Sequence, residues 1–297
     1  SIAEGDSNLE DNDYDIMGIY DMPASALTVA AGMLKTILTP DQTPYYSAVQ
    51  ISGDDHGTTM LGTNSTQMLA VTVPVSNPGI KVIFDAPDLY RLAEAARGAH
   101  SESGVLTLFG QAGKLALLDW SDMETRNWSL KYGKKEERRF MKQLRWDSVL
   151  EGCRRYGPGL CFNTEEFQGC LERAMKNCDR TETKIGAVWL IVDPDGAAEM
   201  ISAIPKGTAP KGGVTLESVT PSPFEGLIEL ALNGDQILNL VKILKSLKQD
   251  EFEIRVHGDH GLVEGSFPFL VELRDTGEVS GDYVAMPMTP SSLPSRD

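Results

Sequence analysis

A pattern that runs through this chain four times limits what it can fold into more than any other feature. A short strand-like run leads into an amphipathic helix, and further strand-like runs follow. The helices are predicted at 24–38, 86–99, 164–177 and 234–248, recurring at intervals of roughly 60–80 residues. In the first, Leu27, Ala30, Ala31, Leu34 and Leu38 share one face, and in the second Leu89, Leu92, Ala93 and Ala96 do. In the fourth, Ile237, Leu240, Val241 and Leu244 stand at i, i+3, i+4 and i+7, behind Asn233 as N-cap. Strands are predicted at 19–22, 45–52, 58–62 and 68–74, then at 80–84, 105–109, 114–119 and 127–130. Further strands follow at 160–162, 187–193, 199–204, 227–232, 252–256 and 263–271, and the stretch closes on Tyr283-Val284-Ala285-Met286-Pro287-Met288. The pattern repeats; the residues do not. A helix on one face of an antiparallel sheet leaves an apolar face to bury, so two such units share a core. The expectation is an α+β chain of two domains, each made of two strand–helix–strands units.

The totals agree with that division. A chain of 297 residues with 41% hydrophobic content can build two ordinary cores. No apolar run reaches 18 residues and no charged-then-apolar N-terminus is present, so neither a membrane span nor a signal peptide is expected. The first residue is Ser1 rather than Met, as in a trimmed chain. Cys153, Cys161, Cys170 and Cys178 lack the close spacing of a zinc knuckle and are expected as free thiols, with a metal site or disulfide the lesser reading. The formal net charge is −16. Residues 1–22 carry seven acids and no Lys or Arg, so 1–18 is expected as an acidic, unstructured tail that serves solubility or a partner. Domains are expected at 19–130 and 159–289, with a connector at 131–158 and a short tail at 290–297. The connector is basic: residues 131–155 hold nine Lys or Arg against four acids. Phe140, Leu144 and Ser148 could form the inner side of a short helix there. Its two readings are a solvated connector and an added docking or DNA-contact surface.

Strand, basic amphipathic helix, antiparallel strands and a final YxxMPM together resemble the last domain of the bacterial polymerase III beta sliding clamp. The run Thr63-Asn64-Ser65-Thr66-Gln67-Met68-Leu69-Ala70 is similar to the Thr-Asp-Gly-His-Arg-Leu-Ala segment of that family's middle domain. It is one residue longer and lacks the His and Arg. The likeness covers about 20–130 and 160–288, and nothing corresponds to the family's first domain. It implies the DNA-clamp fold and a ring-shaped homo-oligomer. Three two-domain copies would complete the family's six-domain pseudo-symmetry, which implies a homotrimer closed head to tail through sheet edges; a clamp chain trimmed of its first domain would look the same. The implied function is a replication processivity factor acting in the cytoplasm of a bacterial or phage-infected cell, at the nucleoid. It has no catalytic role and no cofactor. The alternative is a clamp-fold interaction scaffold that does not encircle DNA.

A ring around duplex DNA needs cations on its lining helices, contacting phosphate without reading bases. The candidates are Lys35, Arg91, Arg97, Arg173, Lys176, Arg180, Lys242, Lys245 and Lys248. Taken singly, each also fits an ordinary solvated helix face. The resemblance further implies a pocket for short linear motifs of a DNA polymerase and a clamp loader, built from Met68, Leu69, Val284, Met286, Pro287 and Met288. Flexible Met side chains suit a surface that takes several partners. No nucleophile elbow, phosphate loop, HExxH or dinucleotide fingerprint is present. His257 and His260 flank Asp259 in a Gly-rich turn, which reads as a hairpin tip before it reads as a metal site.

Overall fold

The computed structural model describes residues 14–38, 48–55, 57–75, 81–99, 102–111, 114–122, 127–131, 146–178, 180, 185–202, 214–217, 221–258 and 267–288. It divides into two compact units, 1–144 with 275–281 and 145–274 with 282–297.

The first unit runs β1 (Asp15–Asp21), α1 (Ala24–Ile37), β2 (Ala48–Gly53), β3 (Thr58–Thr63), β4 (Gln67–Val73), β5 (Val82–Asp85), α2 (Ala86–Arg97), β6 (Val105–Gln111), β7 (Lys114–Ser121) and β8 (Asn127–Lys131). Two antiparallel runs of strands result, in the orders β1-β6-β7-β8 and β4-β3-β2-β5. Helices α1 and α2 pack on each other, and α1 also lies over β3 and β4. Every apolar residue predicted for their inner faces is buried. Pro23 precedes the first turn of α1, where its fixed φ suits the entry and its missing N–H costs nothing. The Trp120 indole N–H donates to the Met22 carbonyl at 3.0 Å, pinning the β1–α1 junction to β7.

The second unit runs α3 (Trp146–Arg154), β9 (Leu160–Asn163), α4 (Thr164–Lys176), β10 (Ala187–Val192), β11 (Ala197–Ser202), β12 (Val214–Glu217), β13 (Ile228–Asn233), α5 (Gly234–Ser246), β14 (Glu251–Ile254), β15 (Phe269–Leu273) and β16 (Ser280–Ala285). One sheet has the order β12-β11-β10-β13. Elsewhere β9 pairs with β14, Arg255 bridges to Leu270, and β15 neighbours β16. Helices α4 and α5 pack side by side over β10, as α1 and α2 do on their own sheets. Both begin on an asparagine: the Asn163 side chain accepts from the Glu165 and Glu166 amides, and Asn233 from those of Asp235 and Gln236. Phe162, Phe167 and Phe252 form the aromatic centre, with ring centroids 5.0–6.1 Å apart in tilted and edge-on pairs.

Several elements differ from expectation. Strand β1 begins at Asp15, so the supposed tail is strand from there on, paired with β6. Strand β12 was not foreseen: only four residues long, it has no alternation long enough to register. Ser148 is exposed on α3, which buries Leu150 and Cys153 instead. Residues 1–13, Phe140, Leu144, His56, His260 and most of the basic connector lie outside the described residues. All four cysteines are free. Among the described residues no helix is long and apolar enough to cross a membrane, and no group of three or more His, Cys, Asp or Glu could hold a metal.

Candidate nucleic-acid interface

The predicted cations all lie on or just beyond the four paired helices, and all are exposed. Their surroundings divide them. On α2, the Arg91 guanidinium is 3.3 Å from the Asp88 carboxylate and Arg97 is 3.0 Å from Glu94, both pairs at i, i+3. On α1, Lys35 lies over the Tyr90 ring, 5.7 Å from its centroid. The Tyr90 hydroxyl donates to the Leu38 carbonyl at 3.0 Å, and burial pushes its pKa up, so it stays a neutral donor there.

In the second unit, Arg180 is not a free cation. Its Nη2 is 3.1 Å from Oδ1 of Asp235, whose Oδ2 accepts from the Gly186 amide at 3.1 Å. Arg173 donates from Nη2 to the Cys170 sulfur at 3.3 Å. Lys176, Lys242, Lys245 and Lys248 make no ion pair among the described residues. Lys242 and Lys245 stand on the outer face of α5, opposite buried Val241, Ile243 and Leu244. Lys248 follows the last turn in a left-handed conformation, φ 52°. The Gln249 amide then reaches back to the Leu244 carbonyl at 2.9 Å, which ends the helix. The Lys248 carbonyl accepts from Arg274 at 3.3 Å. Arg274 was missed in the sequence because nothing local ties it to a residue 26 positions away.

The residues expected in the peptide pocket divide as well. Met68 and Leu69 in β4, and Val284 and Pro287 in the second unit, are buried. Met286 is 40% exposed and Met288 half-buried. The Met288 amide donates to the Ala231 carbonyl at 2.7 Å, holding the segment after β16 against β13. There Met288 and the half-buried Trp189 pack on Ala187 and Ala231. Trp189 was also missed. The alternation of Ala187-Val188-Trp189-Leu190-Ile191-Val192 places it on the sheet face opposite the buried Val188, Leu190 and Val192, and that signal was available.

No family model and no curated protein matches the sequence. Solved structures do match, and they define the fold as that of the bacterial DNA sliding clamp. The DNA polymerase III subunit beta of Pseudomonas aeruginosa is 13% identical, with a TM-score of 0.69 over 95% of this chain and 69% of that one. The Bacillus subtilis DNA polymerase sliding clamp is 13% identical, with a TM-score of 0.67 over 95% and 67%. A Helicobacter pylori beta clamp bound to a DNA ligase peptide is 15% identical, with a TM-score of 0.64 over 96% and 70%.

Proposed function

We propose that this chain is a sliding-clamp processivity factor, a ring-shaped homotrimer that encircles duplex DNA without reading sequence and tethers a DNA polymerase. The clamp fold supports the reading. The observation that carries it is the exposed row of Lys242, Lys245 and Lys248, free of ion pairs among the described residues in a chain of net charge −16. Such lysines attract phosphate in a salt-sensitive way, and a sliding ring requires loose contact of that kind. The ring does no chemistry: being closed, it cannot leave the duplex sideways, and polymerase dissociation is suppressed by topology. A separate clamp loader would open it. Polymerase and loader dock through short linear motifs on the second unit's apolar strip, where Met286 and Met288 are the accessible members. Its setting is the cytoplasm of a bacterial or phage-infected cell. Reversing Lys242, Lys245 and Lys248 to Glu is expected to abolish DNA-dependent stimulation of polymerase while the oligomer's mass stays the same. Unchanged stimulation would remove the encircling role.

One observation favours a second reading, a clamp-fold scaffold that binds peptides without surrounding DNA. Three of the expected cations, Arg91, Arg97 and Arg180, are occupied by carboxylates. The same reversal separates the two readings, because a scaffold keeps its peptide affinity and has no stimulation to lose.

A further inference from the structure

Resting on the docking strip of the proposed function, we infer that its occupant is a basic peptide. This is a short extended segment whose apolar side chain packs on Trp189 and Met288, with a Lys or Arg about two residues away facing Glu199 and Asp193. Helices α4 and α5 cover one face of the sheet β12-β11-β10-β13. On the other face the register makes two rows. Ala231, Trp189 and Ile201 stand side by side in β13, β10 and β11, and one step along Glu229, Ile191 and Glu199 do the same. Such a step is about 7 Å along the strand, and neighbouring strands are about 4.8 Å apart, so the backbones of the two glutamates lie about 10 Å apart with Ile191 between them. Ile191, Ile201 and Ala231 are buried. Trp189 and Met288 are half-buried against Ala187 and Ala231, and Met286 is 40% exposed. An incoming apolar side chain therefore meets an indole and two thioethers.

What stands beside that apolar ground is negative. The Asp193 amide donates to the Ala197 carbonyl at 2.8 Å, so the alternation of β10 carries Asp193 to the same side as Ile191 and Trp189. Asp193 and the turn residue Asp195 are exposed, and Glu199 is half-exposed. The positions that share this face within 187–191, 197–201 and 229–233 include no Lys or Arg. An apolar patch alone accepts any hydrophobic motif, and the carboxylates decide which neighbours that motif can have. An acidic residue next to the anchor is repelled. A lysine or arginine lays its methylene stem along Trp189 while its charge reaches the carboxylates, and an arginine also stacks on the indole. An extended peptide advances about 3.3 Å per residue, so two residues cover the step from the Trp189 row to the Glu199 row.

The test is selection of a random peptide library displayed on phage against the full native chain, with counter-selection on Trp189→Ala. If circular dichroism shows that variant to be unfolded, Met286→Ala/Met288→Ala replaces it. Peptides that need the strip are expected to carry a Lys or Arg within about three residues of an aromatic or aliphatic side chain. The tightest of them is then synthesised with a fluorescein label and titrated by anisotropy against the native chain and Asp193→Asn/Glu199→Gln. The carboxylate variant is expected to bind it roughly three- to tenfold more weakly, as the loss of two exposed ion pairs allows, and the difference should narrow as salt rises. Selected peptides with neutral or acidic flanks, or an affinity that the carboxylate variant leaves unmoved, would overturn the basic preference and leave the docking strip standing. A library that yields nothing dependent on the strip would overturn the docking strip itself. A lower oligomer mass for a folded Trp189→Ala would make the strip a contact between copies of the chain, which also overturns the inference.

Discussion

Ser65 stands at the tip of the β3–β4 hairpin with φ of 80°, a left-handed conformation that suits glycine. The loop forces it there. The Asn64 side chain accepts from the Gln67 amide at 2.9 Å and the Thr66 amide at 3.3 Å, while the Thr63 hydroxyl donates to the Gln67 carbonyl at 2.7 Å. A left-handed non-glycine residue costs about 1–2 kcal/mol, partly offset by glycine's greater freedom when unfolded. Ser65→Gly is therefore expected to stabilise the chain by about 1 kcal/mol in a urea titration; a destabilised variant would mean the serine hydroxyl holds the loop. The thiols give a second test. Burial raises the pKa of Cys153 and Cys170, against the nearby Arg173 guanidinium that pulls Cys170 down. Both should stay protonated and resist alkylation at mildly alkaline pH, reacting only as the chain unfolds, whereas Cys161 and Cys178 are half-buried and should label sooner. At the apolar strip, Met286→Ala with Met288→Ala removes accessible apolar surface at about 0.8 kcal/mol per methylene equivalent. Affinity for a partner peptide in a fluorescence titration is expected to fall roughly tenfold or more; equal affinity would dismiss the strip as a docking surface.

The elements show what sequence makes legible. All four long helices were readable because a 3.6-residue period sustained over three turns is hard to mistake, and their inner faces are the buried ones. Asn233 was readable as a cap, but its counterpart Asn163 passed unnoticed, although the two make the same pair of bonds. Short strands such as β12 carry too little pattern. For the candidate site, exposure of the lysines follows from helical spacing. The pairing of Arg180 with Asp235 spans 55 positions and only the fold reveals it. The burial of Met68, Leu69, Val284 and Pro287 was equally out of reach, because a short apolar run looks the same whether it lines a pocket or a core. Helix α3 depends on one such distant pairing. Arg154 donates from Nε and Nη2 to Oδ2 of Asp282 at 2.9 and 2.7 Å, and the Asp282 side chain is only 10% exposed. Removing the arginine leaves a mostly buried carboxylate unpaired, so Arg154→Ala is expected to cost about 2 kcal/mol, discounted for the arginine's own exposure. Arg154→Ala with Asp282→Ala should recover part of that in a double-mutant cycle. Strict additivity would show that the pair does not anchor α3.

At the scale of the whole molecule the free sheet edges matter most. Among the described residues β8 ends one sheet of the first unit and β12 ends one sheet of the second. The other end of that second sheet, β13, is partly covered where Met288 bonds to Ala231. An uncovered edge presents a row of unpaired amides and carbonyls, and it invites pairing with any strand that fits. A protein present at working concentration in a cell must blunt such edges or use them. Head-to-tail pairing of copies would use them, and a closed ring leaves no terminal edge to propagate into a filament. On the proposed clamp reading, three copies of this two-unit chain would fill the six positions of such a ring. Light scattering on a size-exclusion column, run over a range of concentrations, is expected to give a mass near three times 32.4 kDa. The mass should hold steady on dilution until the interfaces dissociate together, because a ring loses all its closure when one interface opens. A mass that climbs without limit as concentration rises would mean that the edges pair but the rotation does not close. A monomer at every concentration would mean that the edges are not the assembly surface, and the proposed trimeric ring would fall.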